Sequence, residues 1–175
     1  MTTQLRRILT ALAMLAGLLA LSPATAALAS NPGKTFTFHN QVDTFTDVVP
    51  CTTIPVTVTT VSNGVEHFQV TTMPGGSVRA QGTFTQTGTF QAVRLDGSGI
   101  TYSGHFTAWD GFSATNPVFG PDGEIVSADT FVDTSTFNIH GTGSDGSVIS
   151  EHANSHIGVN PVGHTSEFFK DSCAA

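Results

Sequence analysis

The sequence predicts an all-β fold, a single antiparallel up-and-down β-barrel of about eight strands, with a β-sandwich as the alternative. β-branched and aromatic residues dominate the chain after residue 30, while glycine, proline, asparagine and aspartate recur at intervals of about ten to twenty residues. Apolar and polar residues alternate in these segments, and no helical period lasts beyond about two turns. Since no helix is available to cover an apolar sheet face, the sheet is expected to close on itself or to fold into two packed layers.

The first 29 residues are predicted to be a secretory signal peptide, so that residues 30–175 form a single β-barrel domain. Arg6 and Arg7 precede an apolar run over residues 8–21, and small residues that end in an Ala-x-Ala motif follow it. This run of about fourteen apolar residues is shorter than the roughly 20 that a membrane-spanning helix requires. A signal peptide is therefore preferred over a transmembrane anchor.

Cleavage is expected after Ala26 or Ala29, which leaves a secreted, extracellular protein with no membrane span. The adjacent arginines resemble a twin-arginine export signal, but the residues around them match that signal poorly. No cysteine lies near the cleavage point, so the sequence does not support a lipid anchor.

The predicted mature domain is strongly acidic. Its basic side chains are Lys34, Arg79, Arg94 and Lys170, against the chain's 13 aspartates and glutamates. Four scattered cations cannot neutralise a run of phosphates. Nucleic acids and anionic membrane surfaces are therefore not expected as partners.

Cys51 and Cys173 are the only cysteines in the sequence, and both lie in the predicted mature domain. An exported protein meets an oxidising environment, so the two are predicted to form a disulfide. A redox or metal-binding thiol pair is the alternative, but the two cysteines lack the C-x-x-C spacing of such sites.

Eight strands are predicted, near residues 35–48, 54–61, 65–72, 78–94, 100–109, 124–143, 147–159 and 164–170. In an eight-stranded barrel the first and the last strand end at opposite rims, yet Cys51 and Cys173 follow those two ends. Either a tail crosses the rim, or the strand count is off by one. We favour a miscount, and the long 124–143 segment is where we expect it.

The segment "SNG" at 62–64 is predicted to be a three-residue hairpin loop with its glycine in the left-handed conformation. This loop pairs Val61 with Val65, and it places Val58 opposite Phe68. Apolar residues then face one another across the hairpin.

Two further turns are predicted from the same kind of pattern. A three-residue loop at "SDG", residues 144–146, places Phe137 opposite Ala153, whereas a two-residue loop would mix the two faces. In the "DGSG" hairpin Asp96 is expected to pair with Ile100. One face of the resulting sheet is apolar and carries Val56, Val58, Phe68, Val70, Phe84, Phe90, Tyr102, Phe106, Phe131 and Phe137.

The histidines are predicted to lie on the opposite, polar face. In "SEHANSHIGV" His152 and His156 would chelate a metal on a helix, but four residues of a strand span about 13 Å, which is too far. His140 and His152 form a closer diagonal pair across two strands, at about 7 to 8 Å. No metal is predicted. The solvated set is His67, His105, His140, His152 and His156, and a pH-dependent surface is the alternative interpretation.

Asp129 and Asp133 interrupt the apolar alternation on the face that is predicted to point inward. Two inward carboxylates can act as a general acid and base, with Tyr102 as a third group. Acids at a solvated barrel mouth are the more common case, so catalytic residues stay unassigned. No nucleophile elbow, glycine-rich phosphate loop or H-E-x-x-H motif is present in the sequence.

The segments "FTDVVPC", "GTFTQTGTF", "YSGHFTAW", "HGTGSDGS" and "FFKDSC" resemble small secreted actinobacterial β-barrel proteins of unassigned function. The resemblance covers most of the predicted mature domain and implies its strands, its turns and its cysteine pair. In outline the chain is also distantly similar to lipocalin and to allene oxide cyclase or dirigent barrels. None of the site motifs of those barrels can be placed here, so the resemblance implies no activity.

The favoured function is a binding module that holds a small apolar ligand in the barrel lumen, without a cofactor. Glycine and alanine alternate with phenylalanine on the inward face, which leaves room for a ligand. The predicted contacts are Phe84, Phe90, Tyr102, Phe106, Phe131 and Phe137. The alternatives are an isomerase or cyclase that uses the barrel as a dry chamber, and a structural envelope-surface protein whose phenylalanines fill the lumen.

Overall fold

The computed structural model describes residues 31–121 and 123–173, and the predicted signal peptide lies outside them. The described chain is all-β, as predicted. Its strands are β1 (Asn31–Val48), β2 (Pro55–Thr72), β3 (Val78–Arg94), β4 (Thr101–Thr115), β5 (Val118–Phe119), β6 (Ile125–Ser127), β7 (Thr130–Gly143), β8 (Val148–Val159) and β9 (Thr165–Cys173).

Seven of these strands form one antiparallel sheet in the order β1-β2-β3-β4-β7-β8-β9. Neighbouring strands of this sheet follow one another along the chain, except at β4 and β7. Between these two, the chain forms the short β5–β6 hairpin, which is a separate two-stranded sheet. The described part of the chain has no helix of the length and apolar character that a membrane crossing requires.

The prediction of eight strands in this sheet is wrong, because the predicted strands 54–61 and 65–72 are one strand, β2. β2 pairs with β3 without interruption from Val56 to Thr72, so "SNG" at 62–64 is not a turn. The miscount therefore lies here and not in the 124–143 segment, which divides into β6 and β7.

The polar "SNG" residues serve a bulge in the neighbouring strand. His39 and Asn40 of β1 both lie opposite Asn63, because Phe38 pairs with Gly64 and Gln41 with Ser62. The backbone N–H of Asn40 donates to Asn63 Oδ1 at 3.0 Å. Turn-forming residues therefore appear in mid-strand because the side chain of Asn63 accepts the backbone N–H of the extra residue in the bulge.

The loop at 144–146 has the predicted form. The backbone N–H of Gly143 donates to Ser147 O at 2.8 Å, Gly146 is left-handed with φ 83°, and Phe137 lies opposite Ala153. In the "DGSG" hairpin the predicted pairing of Asp96 with Ile100 is wrong by two residues. There the N–H of Arg94 donates to Ile100 O at 3.1 Å, so the loop is longer than predicted.

A shift of two residues keeps every side chain on its face, so the predicted apolar face survives the error. All buried strand side chains of the described residues lie on this face, which we call the inner face, and the opposite one is the outer face. The buried set is Val56, Thr60, Ser62, Ala80, Phe90, Ala92, Tyr102, Phe106, Asp110, Ala114 and Ile149.

On the inner face, aromatic rings lie over glycines of adjacent strands. A Cβ built on Gly64 would come within 2.2 Å of Phe38 Cζ, and one on Gly88 within 2.8 Å of Phe106 Cε1. Phe90 covers Gly104 of the adjacent strand β4 at 2.8 Å and also reaches Gly141 of β7, one strand further, at 2.7 Å. The rings fill the space above each missing side chain and let the backbones bend toward the inner face.

The largest apolar cluster lies at the end of the sheet that carries the β1–β2 connection. Its buried members are Val49, Val56, Phe90, Ala92, Tyr102 and Ile149, with Ile54, Val58, Ile100 and Ile139 packed against them. This end of the inner face is filled by side chains.

Because seven is odd, the edge strands β1 and β9 run in the same direction and finish at the same end of the sheet. The predicted disulfide between Cys51, just after β1, and Cys173, at the end of β9, is confirmed, with Cα atoms 6.1 Å apart. A flat sheet would separate its edges by about 29 Å, six spacings of about 4.8 Å. The sheet is therefore strongly curved.

The two edges do not pair with each other. Among the described residues, no Cα of β1 lies within 8 Å of a Cα of β9. Phe36 in β1 and Phe168 in β9 are each 54% exposed, and Phe169 is 38% exposed. A gap between β1 and β9 thus runs along the sheet from the disulfide.

Replacing Gly104 with alanine is expected to destabilise the fold by about 1 to 3 kcal/mol, because the new Cβ would meet His140 O at 2.1 Å and the Phe90 ring at 2.8 Å. Gly111→Ala in the same strand is the matched control, since its nearest atoms are the movable Trp109 ring at 3.0 Å. Urea unfolding of both variants measures the difference. Equal stability would contradict the role of the ring-covered glycines.

Replacing both Cys51 and Cys173 with serine is expected to lower the free energy of unfolding by up to about 4 to 5 kcal/mol, since the bond spans 122 residues. Circular dichroism should still report β-structure, because burial of the apolar cluster does not depend on the bond. The wild-type protein should weigh about 2 Da less than its reduced form. Free thiols in the native protein would contradict the pairing.

Candidate functional site

All six predicted ligand contacts lie on the inner face, but they are not all available to a ligand. Phe90, Tyr102 and Phe106 are buried, and the first two belong to the apolar cluster at the disulfide end. Phe84, Phe131 and Phe137 are only partly buried. The available part of the inner face is therefore its centre and the end away from the disulfide.

Acidic side chains occupy the centre of the inner face. In one row across the sheet, Glu66 of β2 pairs with Phe84 of β3, which pairs with Asp110 of β4. In the next row, Phe112 of β4 pairs with Asp133 of β7. Each acid thus lies beside a phenylalanine, and Asp110 lies diagonally across from Asp133.

Asp110 is buried, and its carboxylate has no polar partner in the described part of the chain. It is 5% exposed, and no hydrogen bond or ion pair reaches its carboxylate from the described residues. Its neighbour Ser135 is already bonded, since Ser135 Oγ and Ser155 Oγ lie 2.7 Å apart. The Asp110 oxygens still keep some accessible surface, so they border a space and are not sealed in packed atoms.

Burial is the main cause that raises the pKa of Asp110 to about 7, and the negative charge of Asp133 adds to it. Burial also raises the pKa of Asp133, and the positive charge of His156 opposes that rise. Burial likewise raises the pKa of Glu66. The three carboxyls of the central rows therefore hold their protons more tightly than free side chains do.

The charge of the inner face is mostly negative. The register places on it Asp43, Asp47, Glu66, Asp110, Asp133, Glu151, Glu167 and Asp171. The inner-face cations are Lys34 and Arg94, and the Arg94 guanidinium is bonded to Asp96. The centre of the inner face has an excess of acid over base.

Of the predicted catalytic trio, only Asp133 lies at this centre. Tyr102 is buried in the apolar cluster, and Asp129 is an exposed residue whose Oδ2 accepts from Asn116 Nδ2 at 2.7 Å. Asp110 was missed because β4 was predicted to end at residue 109, whereas it continues to Thr115. The alternation Phe106, Ala108, Asp110 is the signal that could have found it.

The five histidines predicted on the polar face do lie on the outer face, on strands. His152 accepts from Asn154 Nδ2 at 2.7 Å and its Nδ1 bonds Asn138 Oδ1, while His156 Nδ1 is 3.0 Å from Thr134 Oγ1. His105 and His140 lie opposite each other on β4 and β7, with ring centroids 5.8 Å apart.

Two shallow grooves of about 340 and 450 Å³ lie on the outer face and share His105 and Thr107. They are open and lined mainly by Thr, Asn and His side chains, several of which are already bonded to one another. In the described residues, one group of three potential metal ligands lies close together, Cys51, Asp171 and Cys173, but its sulfurs form the disulfide.

Comparison of the chain with protein-family models, with curated proteins and with solved structures finds no match in any of the three. The residues of the chain itself therefore carry the functional conclusion, and the Asp110–Asp133 pair is the candidate site.

Wild-type stability is expected to fall as pH rises from about 4 to about 7. The pKa of Asp110 rises from its ordinary value of 3.8 to about 7 on folding, so the folded protein binds a proton that the unfolded chain has already lost. At 1.36 kcal/mol per pKa unit, the loss reaches about 4 kcal/mol once pH exceeds the folded pKa.

Asp110→Asn should remove most of this loss. The variant should match the wild type near pH 4 and exceed its stability by about 2 to 4 kcal/mol near pH 8, in urea unfolding followed across that range. Glu124→Gln, at an exposed carboxylate between β5 and β6, is the control. An unchanged pH slope in Asp110→Asn would contradict the assignment.

Proposed function

We propose that the protein is an exported binding protein in which the curved sheet acts as a β-barrel with one open seam, and the inner face holds a small ligand with an apolar body. The single observation that carries this proposal is Asp110, buried beside Phe84 with no hydrogen-bond partner among the described residues. A buried polar group without a partner lowers stability. Such costly groups are found mainly at functional sites.

The surroundings of Asp110 suit a ligand that is mostly apolar. Phe84 of β3 lies opposite Asp110, and Phe112 and Ala108 are its neighbours on the same face of β4. Rings provide contact area at low entropic cost, and alanine at 108 is a small neighbour on the same face. An unpaired carboxyl in such a setting can orient a ligand through one polar contact.

Export is the second part of the proposal. The predicted signal peptide, a disulfide between the only two cysteines and the acidic composition all suit a protein that works outside the cytoplasm. The gap between β1 and β9 offers a route by which a ligand reaches the inner face.

The uncharged apolar fluorescent probe N-phenyl-1-naphthylamine tests the site, since an anionic dye would be repelled by the acids of the inner face. Ala108→Leu should weaken probe binding at least about tenfold, because the added atoms occupy the space between Phe106 and Asp110. Thr107→Leu adds an apolar side chain to the outer face of the same strand and should leave binding unchanged. Equal effects of the two variants, or no binding by the wild type, would refute the proposal.

A second candidate function is proton transfer, as in an isomerase or cyclase. It is favoured by one observation, the pKa of Asp110 at about 7, which suits a general acid or base at neutral pH. Asp133 would be the other group of the pair. Native mass spectrometry of a molecule that co-purifies, after incubation in heavy water, separates the two functions. Deuterium at carbon indicates proton transfer, and unchanged mass indicates binding alone.

A further inference from the structure

No lysine or arginine of the described residues forms an ion pair with the acids at the centre of the inner face. Asp110 and Asp133 repel each other across two rows, and Glu66 lies beyond Phe84. The inner-face cations lie elsewhere, Lys34 exposed on the edge strand β1 and Arg94 bonded to Asp96. A bound cation would remove the repulsion and would be attracted by the excess negative charge.

We infer that the ligand carries a protonated amine on an apolar body, with Asp110 and Asp133 accepting hydrogen bonds from the ammonium group and Phe84 and Phe112 packing against the body. This inference rests on the proposed binding function and names its ligand class. An ammonium group offers three N–H donors, which suits two neighbouring carboxylates. Its charge is also attracted to the faces of nearby phenyl rings.

A metal ion fits this place less well. Calcium requires six to eight oxygen ligands and magnesium requires an octahedral set. Among the described residues, Asp110 and Asp133 belong to no group of three ligand atoms that lie within 4.8 Å of one another. The flanking phenylalanines would also exclude the water that completes such a shell. An organic cation needs only the two carboxylates and gains from the rings.

The charged groups in the rows of the pair and in the next two rows are mostly acids. Glu66 shares the row of Asp110, and Lys34 and Glu167 lie at the two edges of the row of Asp133, while Asp171 and Glu151 lie one and two rows from Asp110 toward the disulfide. On the outer face, His156 acts on Asp133. The acids among them reinforce the attraction of a cation. At a pH below the raised pKa of Asp110, about 7, the pair loses negative charge and with it the preference for an amine.

Three probes that share a phenylethyl group and differ in charge test the inference: 2-phenylethylamine, 2-phenylethanol and 3-phenylpropionate. Isothermal titration near pH 8 should give at least about tenfold tighter binding for the amine than for the alcohol, and weaker binding for the carboxylate. Near pH 5 the amine should keep its own charge, while its advantage over the alcohol should shrink to about twofold or less.

Asp110→Asn and Asp133→Asn should each reduce the amine-to-alcohol ratio near pH 8, and Glu124→Gln should not change it. Asp110→Asn is expected to be more stable than the wild type, so a lost preference cannot be attributed to unfolding. Equal affinity for amine and alcohol would overturn the amine inference and leave the binding function standing. Tighter binding of the carboxylate would do the same, and failure of all three probes together with the fluorescent probe would overturn both.

Discussion

The curvature of the sheet depends on aromatic rings that lie over glycines on its inner face. Strands of 9 to 18 residues would form a wide, gently twisted sheet if every inner position carried a side chain. Here Phe38 covers Gly64, Phe106 covers Gly88 and Phe90 covers two glycines, so the backbones can approach the rings. Phe90, which covers two of these glycines, also belongs to the apolar cluster near the disulfide. A sequence rich in phenylalanine and glycine thereby builds a curved sheet without helices.

The odd number of strands decides how the curved sheet is held. With seven strands in a meander, both edges run the same way, so the turn after β1 and the end of β9 lie at one end of the sheet. The disulfide joins them there. It connects two edges that, in the described chain, share no backbone hydrogen bonds between β1 and β9. One covalent bond thus fixes the curvature at that end, while the edges remain separate beyond it. The exposed faces of β9 are a consequence of this separation.

One part of the inner face stabilises the fold, and another part lowers its stability. Near the disulfide it carries the apolar cluster, whose side chains are buried among one another. At the centre, Asp110 and Asp133 lie beside phenylalanines, where burial opposes their charge and their mutual repulsion adds to the cost. Leucine at both positions would give the fold a higher free energy of unfolding. The chain places acids there, and among the described residues no lysine or arginine pairs with them, which distinguishes this part of the sheet as a site.

The sequence by itself determined the all-β class, the division of the strands into an apolar and a polar face, the cysteine pair and the "SDG" turn. These depend on side-chain alternation, on two unique thiols and on a local glycine conformation, all of which can be found without knowing which strands are neighbours. Only the tertiary structure decided that residues 55–72 form one strand, that the sheet has seven strands and that the "DGSG" loop is two residues longer than predicted at its base. The physical reason is that local turn preference at "SNG" is small, whereas pairing of β2 with long strands on both sides satisfies its whole backbone. The proximity of Asp110 to Asp133 has the same origin, because register between β4 and β7 brings together residues 23 positions apart, and no local pattern encodes that register.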